Sequence, residues 1–345
     1  MSWKVAFRVD ADATMGAGHF MRCLSLAHAC KARGGDPVFF SATSIQGLID
    51  RVEHAGYELV QVEPDAPDLG VRVICVWASN NKRSWVVLDG YQFNSAYQLA
   101  VAQAGARLMV IDDFLRLPRY HAELMLDQNL GSEGRRYPVA STCRILLGPK
   151  YALLAPGFVE SDSGGRTYPD HAPKLLITLG ASDPVDATSK LVSALASLDM
   201  GEVIVTVVIG GANRRRAEVR KLAEDSGYKV VEDTTEMPLL MADADLAITG
   251  AGSTFWEVCR MGLPGITITL ADNQRDIAAE MSSVGVSVDL GWHDNVTAEA
   301  VQVAVTRLIS DREERERMGT TGQKLVDGQG ASRVVDAMIE SQELS

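Results

Sequence analysis

Three stretches of this 345-residue chain set small residues beside side chains that can do chemistry. In "RVDADATMGAGHFMRCLSLA", residues 8–27, a strand-like run breaks at Gly16 and Gly18 and restarts as a helix, with His19 at the restart. The positive end of a helix dipole disfavours imidazolium, and neutral imidazole is the form a general base needs. Asp10 and Asp12 stand near enough in sequence to tune such a base. In "LITLGASDP", residues 176–184, Gly180, Ala181 and Ser182 can approach an anion closely. Asp183 and Pro184 are then expected to open a helix, with proline in its first turn. In "AITGAGSTFWEVCRMGLPGI", residues 247–266, Gly250, Ala251 and Gly252 form a loop, and Ser253 and Thr254 begin a helix. Backbone N–H groups and two hydroxyls at a helix start suit a diphosphate. Glu257, one turn on, is placed to accept hydrogen bonds from ribose hydroxyls. The competing reading makes Ser253 a helix cap and leaves Glu257 in solvent. "ADNQRD" adds Asn273 and Gln274 as polar candidates.

Other chemistries fit less well. Gly16-x-Gly18 lacks the third glycine of a dinucleotide fingerprint, and no Walker lysine follows. The remaining histidines show no ligand spacing with one another or with cysteines, so no metal site is expected. No cofactor is implied. "VLDGY" and "VIDD" end strand-like runs with Asp89, Tyr91, Asp112 and Asp113, which places these groups at a sheet edge.

Positioning these groups requires β/α alternation, and the chain supplies it nearly throughout. "WKVAFRVD", "PVFFSA", "YELVQV", "SWVVLDG" and "ARLMVIDD" read as strands with helical stretches between most of them. Residues 68–78 read as a helix. "SDSGGRTYPDHAP", residues 161–173, is rich in turn formers and reads as a linker. The alternation then restarts with "KLLITLG". The expected fold class is α/β: two Rossmann-like, doubly wound domains facing a cleft. Residues 1–160 are expected to form the first domain, which carries His19, and residues 161–173 to link it to a second domain at 174–325. A C-terminal helix within 326–345 is expected to pack back on the first domain.

Composition narrows the setting. Apolar residues are 46% and charged residues 23%, enough for two cores. A net charge of −12 argues against a nucleic-acid or anionic-membrane partner. Five cysteines without a CxxC pair suggest reduced, mostly buried thiols. "MSWKVAFRVD" lacks a signal-peptide core, and no apolar run approaches the ~20 residues of a membrane span. The expectation is a soluble cytoplasmic protein, monomeric or weakly self-associating.

The same residues support a family resemblance. "RVDADATMGAGHFMRCLSLA" resembles the opening of the PseG family, hydrolases of UDP-2,4-diacetamido-2,4,6-trideoxy-β-L-altropyranose in pseudaminic acid biosynthesis. The resemblance continues in order through "VLDGY", "VIDD", "LDQNL", "GPKYALL", "LGASDP", "VVIGGANRR", "GAGSTFWEVCRMGLP" and "DNQ". It implies a GT-B-like fold and a substrate and product of UDP-sugar and UDP. It implies that His19 activates the water that attacks the anomeric carbon, with inversion and without a metal. On the sugar side it points to Asp10, Gly16, Gly18, Arg22, Asp89, Tyr91, Asp113 and Asn129. On the nucleotide side it points to Gly180, Ser182, Asp183, Gly210, Asn213, Gly250, Ala251, Gly252, Ser253, Thr254, Glu257, Asn273 and Gln274. Where the family tends to read "YALLRPEF", this chain has Ala155 and Gly157, and Ala181 stands in the family's "GGSDP". The segment around residues 64–83 is also longer than the family pattern. The alternatives are a GT-B glycosyltransferase with a UDP-sugar donor and a non-enzymatic nucleotide-sugar sensor.

Overall fold

Short apolar runs covered on both faces favour parallel strands, and among the described residues the strands of both sheets pair in parallel. The computed structural model describes residues 3–12, 17–63, 67–161 and 165–343. The chain divides into two compact units, one built from Met1–Pro156 and Gly328–Ser345 and the other from Gly157–Asp327.

The first unit holds β1 (Trp3–Val9), β2 (Gly35–Ser41), β3 (Glu58–Gln61), β4 (Trp85–Asp89), β5 (Arg107–Ile111), β6 (Leu124–Asp127) and β7 (Arg144–Leu147). Their order in the sheet is β3-β2-β1-β4-β5-β6-β7. The chain reverses its winding between β1 and β4, and in doubly wound sheets ligands bind at that switch point, beyond the carboxyl ends of the strands. Register brings those ends together. Val9 lies beside Asp89, Asp89 beside Ile111, and Ile111 beside Leu126.

The helix Gly18–Ala32 follows β1. Phe20, Cys23, Leu24, Ala27 and Cys30 recur at helical spacing and are all buried. It ends at Gly34, which adopts φ 78° as a left-handed stop. The helix Gly330–Glu343 packs against it, and Val334, Val335 and Met338 of that helix are buried. An exposed pair, Arg33–Asp336 at 2.7 Å, adds little beside that packing. The expected C-terminal helix therefore belongs to the first unit.

The second unit repeats the pattern with β8 (Lys174–Thr178), β9 (Ile204–Ile209), β10 (Lys229–Glu232), β11 (Leu246–Gly250), β12 (Gly265–Thr269) and β13 (Ser287–Trp292). Their order is β10-β9-β8-β11-β12-β13, with the switch between β8 and β11. Thr178 lies beside Thr249, so the loops after these two strands start side by side.

Several details depart from the sequence reading. β6, β7 and β13 were not foreseen, because four to six residues carry too little periodicity to stand out. The expected helix at 68–78 runs Pro67–Asn80. The helix expected from Pro184 starts only at Ala187, because Asp183 and Asp186 adopt positive φ and delay it. The segment read as a linker is built into the second unit from Gly165 onward. Arg166 donates to the carbonyls of Met241, Ala244 and Met261, and the Tyr168 hydroxyl donates to Gly262 O. Gly157 also has a packing reason. A Cβ there would lie 3.1 Å from Pro238 Cγ, a tight contact that any larger residue needs the proline to relieve by a few tenths of an ångström.

Candidate active site

Six of the sequence-derived residues converge at the switch point of the first sheet. His19 and Arg22 are three apart on the helix Gly18–Ala32 and so share a face. That face meets Asp89, the last residue of β4, which is 0% exposed. Asp89 Oδ1 lies 2.6 Å from His19 Nδ1, and its Oδ2 accepts from Arg22 Nε at 2.6 Å. Arg22 continues outward to Asp113, with Nη1 on Oδ1 at 2.7 Å and Nη2 on Oδ2 at 3.1 Å. Asp113 also accepts from the Tyr91 hydroxyl at 3.0 Å and from Asn129 Nδ2 at 2.9 Å. The Tyr91 ring stands edge-on to the imidazole, with centroids 4.8 Å apart.

For a neutral His19 ring, the hydrogen-bond inventory assigns the proton to Nδ1. Arg22 Nη2 is only 2.9 Å from His19 Nδ1, but its two hydrogens already have carboxylate acceptors, Asp89 Oδ1 at 2.7 Å and Asp113 Oδ2 at 3.1 Å. A carboxylate only accepts, so the 2.6 Å contact with Asp89 requires a proton on Nδ1. Nε2 is then bare, as a general base needs. Asp10 is not the acidic partner that its sequence position suggested. Its carboxylate accepts from Arg8 Nη1, Ala42 N and Gln92 Nε2.

The charges of the cluster are mutually dependent. Burial alone would drive Asp113 towards its neutral acid, but Arg22 outweighs burial and holds the carboxyl well below the usual range. The same opposition of burial by Arg22, with His19 adding to it, lowers Asp89. Burial would likewise lower Arg22, and the two carboxylates raise it well above its ordinary value. Beyond Asn129 lies a further buried carboxylate, Asp127, that sequence reading missed. Asp127 accepts from Arg135, from the Tyr137 hydroxyl and from Asn129 N, while Arg135 also donates to Asp113 O. Burial pushes Asp127 up to about 6 despite Arg135. Had "LMLD" been read as a strand, its terminal carboxylate would have been a candidate like Asp89.

The neighbouring acids of "VIDD" do different jobs. Asp112 accepts the N–H groups of Phe114 and Leu115 and the Tyr120 hydroxyl, and so shapes the loop after β5. Gly18 opens its helix, and Ala17 before it offers no side-chain cap. Gly16 lies outside the described residues.

In the second unit the expected nucleotide residues form two packed neighbourhoods. Ala212 N donates to Ala181 O, and a Cβ on Gly210 would lie 2.3 Å from that same oxygen, so only glycine lets the loops meet. Gly180 turns with φ 83°. Ser182 is buried. Asp183 accepts from Ala187 N and Thr188 N, which anchors the loop to the delayed helix. Asn213 accepts from Arg215 N and donates its own N–H to Gly210 O, forming the turn. On the other side, Gly250 ends β11 and Ala251 N donates to Ile268 O. Gln274 Oε1 accepts from Leu270 N beside Gly250 and Gly252. Asn273 lies with it in the short turn Asp272–Gln274. Ser253 precedes the helix Thr254–Arg260 but makes no cap hydrogen bond, contrary to the capping reading.

Glu257 is half-buried, and desolvation pushes its carboxyl up to about 8. The folded protein therefore takes up a proton that the unfolded chain releases near pH 4.3. Stability should fall as pH rises from there through about 8. Glu257→Gln removes that dependence. A melting temperature higher than wild type by about 2–4 °C at alkaline pH, with no difference at acid pH, is expected. Calorimetry across pH checks it, and equal pH dependence in both proteins would refute it.

Comparison with known proteins supports the same architecture. Residues 175–332 match the model of the glycosyltransferase family 28 C-terminal domain. The uncharacterized protein MJ1062 of Methanocaldococcus jannaschii is 25% identical over 282 residues, which is 79% of this chain and 57% of that protein. The spore coat polysaccharide biosynthesis protein SpsG of Bacillus subtilis is 28% identical over 216 residues, 62% of this chain and 63% of that one. Each match thus spans less than two thirds of the relative. Among solved structures, MurG of Acinetobacter baumannii superimposes with a TM-score of 0.69 at 15% identity, over 98% of this chain and 99% of that one. The UDP co-structure of MnaA from S. aureus also scores 0.69, at 13% identity, over 100% and 98%. The chain is therefore a protein of two parallel-sheet Rossmann-like domains with the GT-B fold, similar in its second unit to the C-terminal domain of glycosyltransferase family 28.

Proposed function

We propose that this protein cleaves a UDP-activated sugar at its anomeric carbon, with His19 as the base that activates water. The observation that carries this reading is the buried dyad in which Asp89 holds His19 Nδ1–H at 2.6 Å and leaves Nε2 free. Nε2 takes a proton from water as oxygen attacks the anomeric carbon. The bond from that carbon to the diphosphate oxygen breaks, UDP departs, and the sugar inverts. In this reading the loops Gly180–Asp183 and Gly250–Thr254 hold the diphosphate and Glu257 the ribose. A protonated Glu257 can both donate to and accept from a diol. UDP as the nucleotide is supported by the UDP bound to the MnaA structure. The ordered motif resemblance supports water as the nucleophile.

A second reading is transfer of the sugar to an acceptor, His19 then deprotonating the acceptor hydroxyl. The family 28 match supports it more directly than it supports hydrolysis, as does 33% identity over 122 residues to a UDP-N-acetylglucosamine transferase of Sulfurimonas denitrificans. That similarity covers only 34% of this chain. The deciding experiment incubates the protein with UDP-, GDP- and CMP-sugars and measures nucleotide release with and without candidate acceptors. Acceptor-independent UDP release with free inverted sugar is the expected result. Release only in the presence of an acceptor would replace hydrolysis with transfer, and no release from any sugar nucleotide would sink both.

A further inference from the structure

We propose that Asp113 is a positioning residue that keeps His19 in its Nδ1–H tautomer, by occupying the Arg22 N–H groups that would otherwise reach Nδ1. The inference rests on the reading of His19 as the base, and it assigns a cause to the state of that base.

The argument begins with a competition. Two groups stand within hydrogen-bond distance of His19 Nδ1, Asp89 Oδ1 at 2.6 Å and Arg22 Nη2 at 2.9 Å. They demand opposite protonation states. The carboxylate needs a proton on Nδ1, whereas the guanidinium needs a lone pair there. If Arg22 prevailed, the neutral ring would carry its proton on Nε2 and would have no lone pair for water. Asp89 favours the proton on Nδ1 and Arg22 opposes it from the other side, while Asp89 keeps Arg22 as a partner through Oδ2 either way.

Asp113 breaks the tie. It draws Arg22 Nη1 to Oδ1 and Nη2 to Oδ2. With Asp89 Oδ1 taking the other Nη2 hydrogen at 2.7 Å, no hydrogen on that nitrogen remains for the ring. Asp113 is itself fixed from two further elements, by the Tyr91 hydroxyl from the loop after β4 and by Asn129 Nδ2 from the end of β6. Both donors require it to stay an acceptor, and an ionised carboxylate is acceptor-only. Two carboxylates around one guanidinium would be an odd expense if Arg22 served only to neutralise Asp89. Control of the Arg22 hydrogens gives the second carboxylate a purpose.

The test is Asp113→Asn. An amide replaces one acceptor oxygen with an NH2 donor. With its oxygen kept for Arg22 Nη1 and Asn129, the amide NH2 faces Arg22 Nη2 and frees that hydrogen for His19. Two readouts follow. Histidine 15N resonances of the ligand-free protein, in mildly alkaline buffer, should show Nδ1 protonated and Nε2 bare in wild type. The variant should gain a population with the reverse assignment. Turnover of UDP-sugar should fall about 100-fold in kcat with KM within about threefold. An unchanged tautomer in the variant overturns the proposal, even if kcat falls. Should Asp113→Asn not fold, wild type decides by itself. An Nε2–H tautomer, or a 15N–15N coupling across an Arg22–His19 hydrogen bond, refutes the proposal, and Nδ1–H without that coupling supports it. The resonances need no substrate. If they behave as stated while no sugar nucleotide is turned over, the enzymatic reading fails and this one stands.

Discussion

Replacing His19 by alanine is expected to lower kcat for UDP release by about 10²–10⁴ while the protein stays folded. The fold should tolerate the change because Asp89 keeps both of its Arg22 contacts when the imidazole is gone. No carboxylate oxygen is left buried without a donor, which is the usual route by which such a change unfolds a domain. UDP affinity should remain within about twofold of wild type, since the proposed nucleotide groups lie in the second unit. His19→Asn should behave alike, because an amide has no basic lone pair. Steady-state kinetics with UDP titration checks the split. Full turnover in either variant would remove His19 as the base.

Asp89→Asn should cost as much in rate and more in stability. An amide at position 89 must turn its NH2 towards Arg22 or towards His19. Facing Arg22 Nε, it sets donor against donor. Facing His19, it donates to Nδ1 and forces the proton onto Nε2. A wrong tautomer of this kind costs about 10⁴ in kcat in the serine protease triad, and a loss of about 10³–10⁴ is expected here. Stability should show a pH signature. The folded-state pKa of Asp89 is lowered, so its contribution is present above the unfolded value near 3.9 and is lost as pH falls through the folded one. The variant should therefore melt lower than wild type at neutral pH, with the gap narrowing in acid. A gap that stays constant from neutral to acid pH would show that Asp89 is not held ionised by Arg22.

Much of this site could be read from sequence because its parts sit at strand ends. "VLDGY" and "VIDD" announce a carboxylate where a strand stops, and parallel register does the rest by aligning Val9, Asp89 and Ile111. Arg22 is different. It lies inside a helix whose pattern is otherwise apolar, and nothing local marks it as the link between two carboxylates 67 and 91 residues away. Only resemblance drew attention to it. Asp112 and Asp113 were indistinguishable by type. Their partners separate them: Asp112 accepts from the N–H groups of Phe114 and Leu115 and shapes a loop, whereas Asp113 accepts from Arg22 beside the histidine. The Asp127–Arg135–Tyr137 group escaped because β6 is four residues long. Position 184 misled because a proline is a common first helical residue, yet two aspartates with positive φ moved the start to Ala187.

The return of the helix Gly330–Glu343 to the first unit bears on how the protein is made. A ribosome finishes the seven strands of that unit long before it reaches this helix. At about 5–20 residues per second, the whole second unit intervenes for roughly 10–30 s. During that interval the part of the helix Gly18–Ala32 later covered by the helix Gly330–Glu343 is without that neighbour. The helix that carries His19 thus waits for this cover, and a nascent chain stalled before residue 330 would hold the proposed base and Asp89 on an unfinished support.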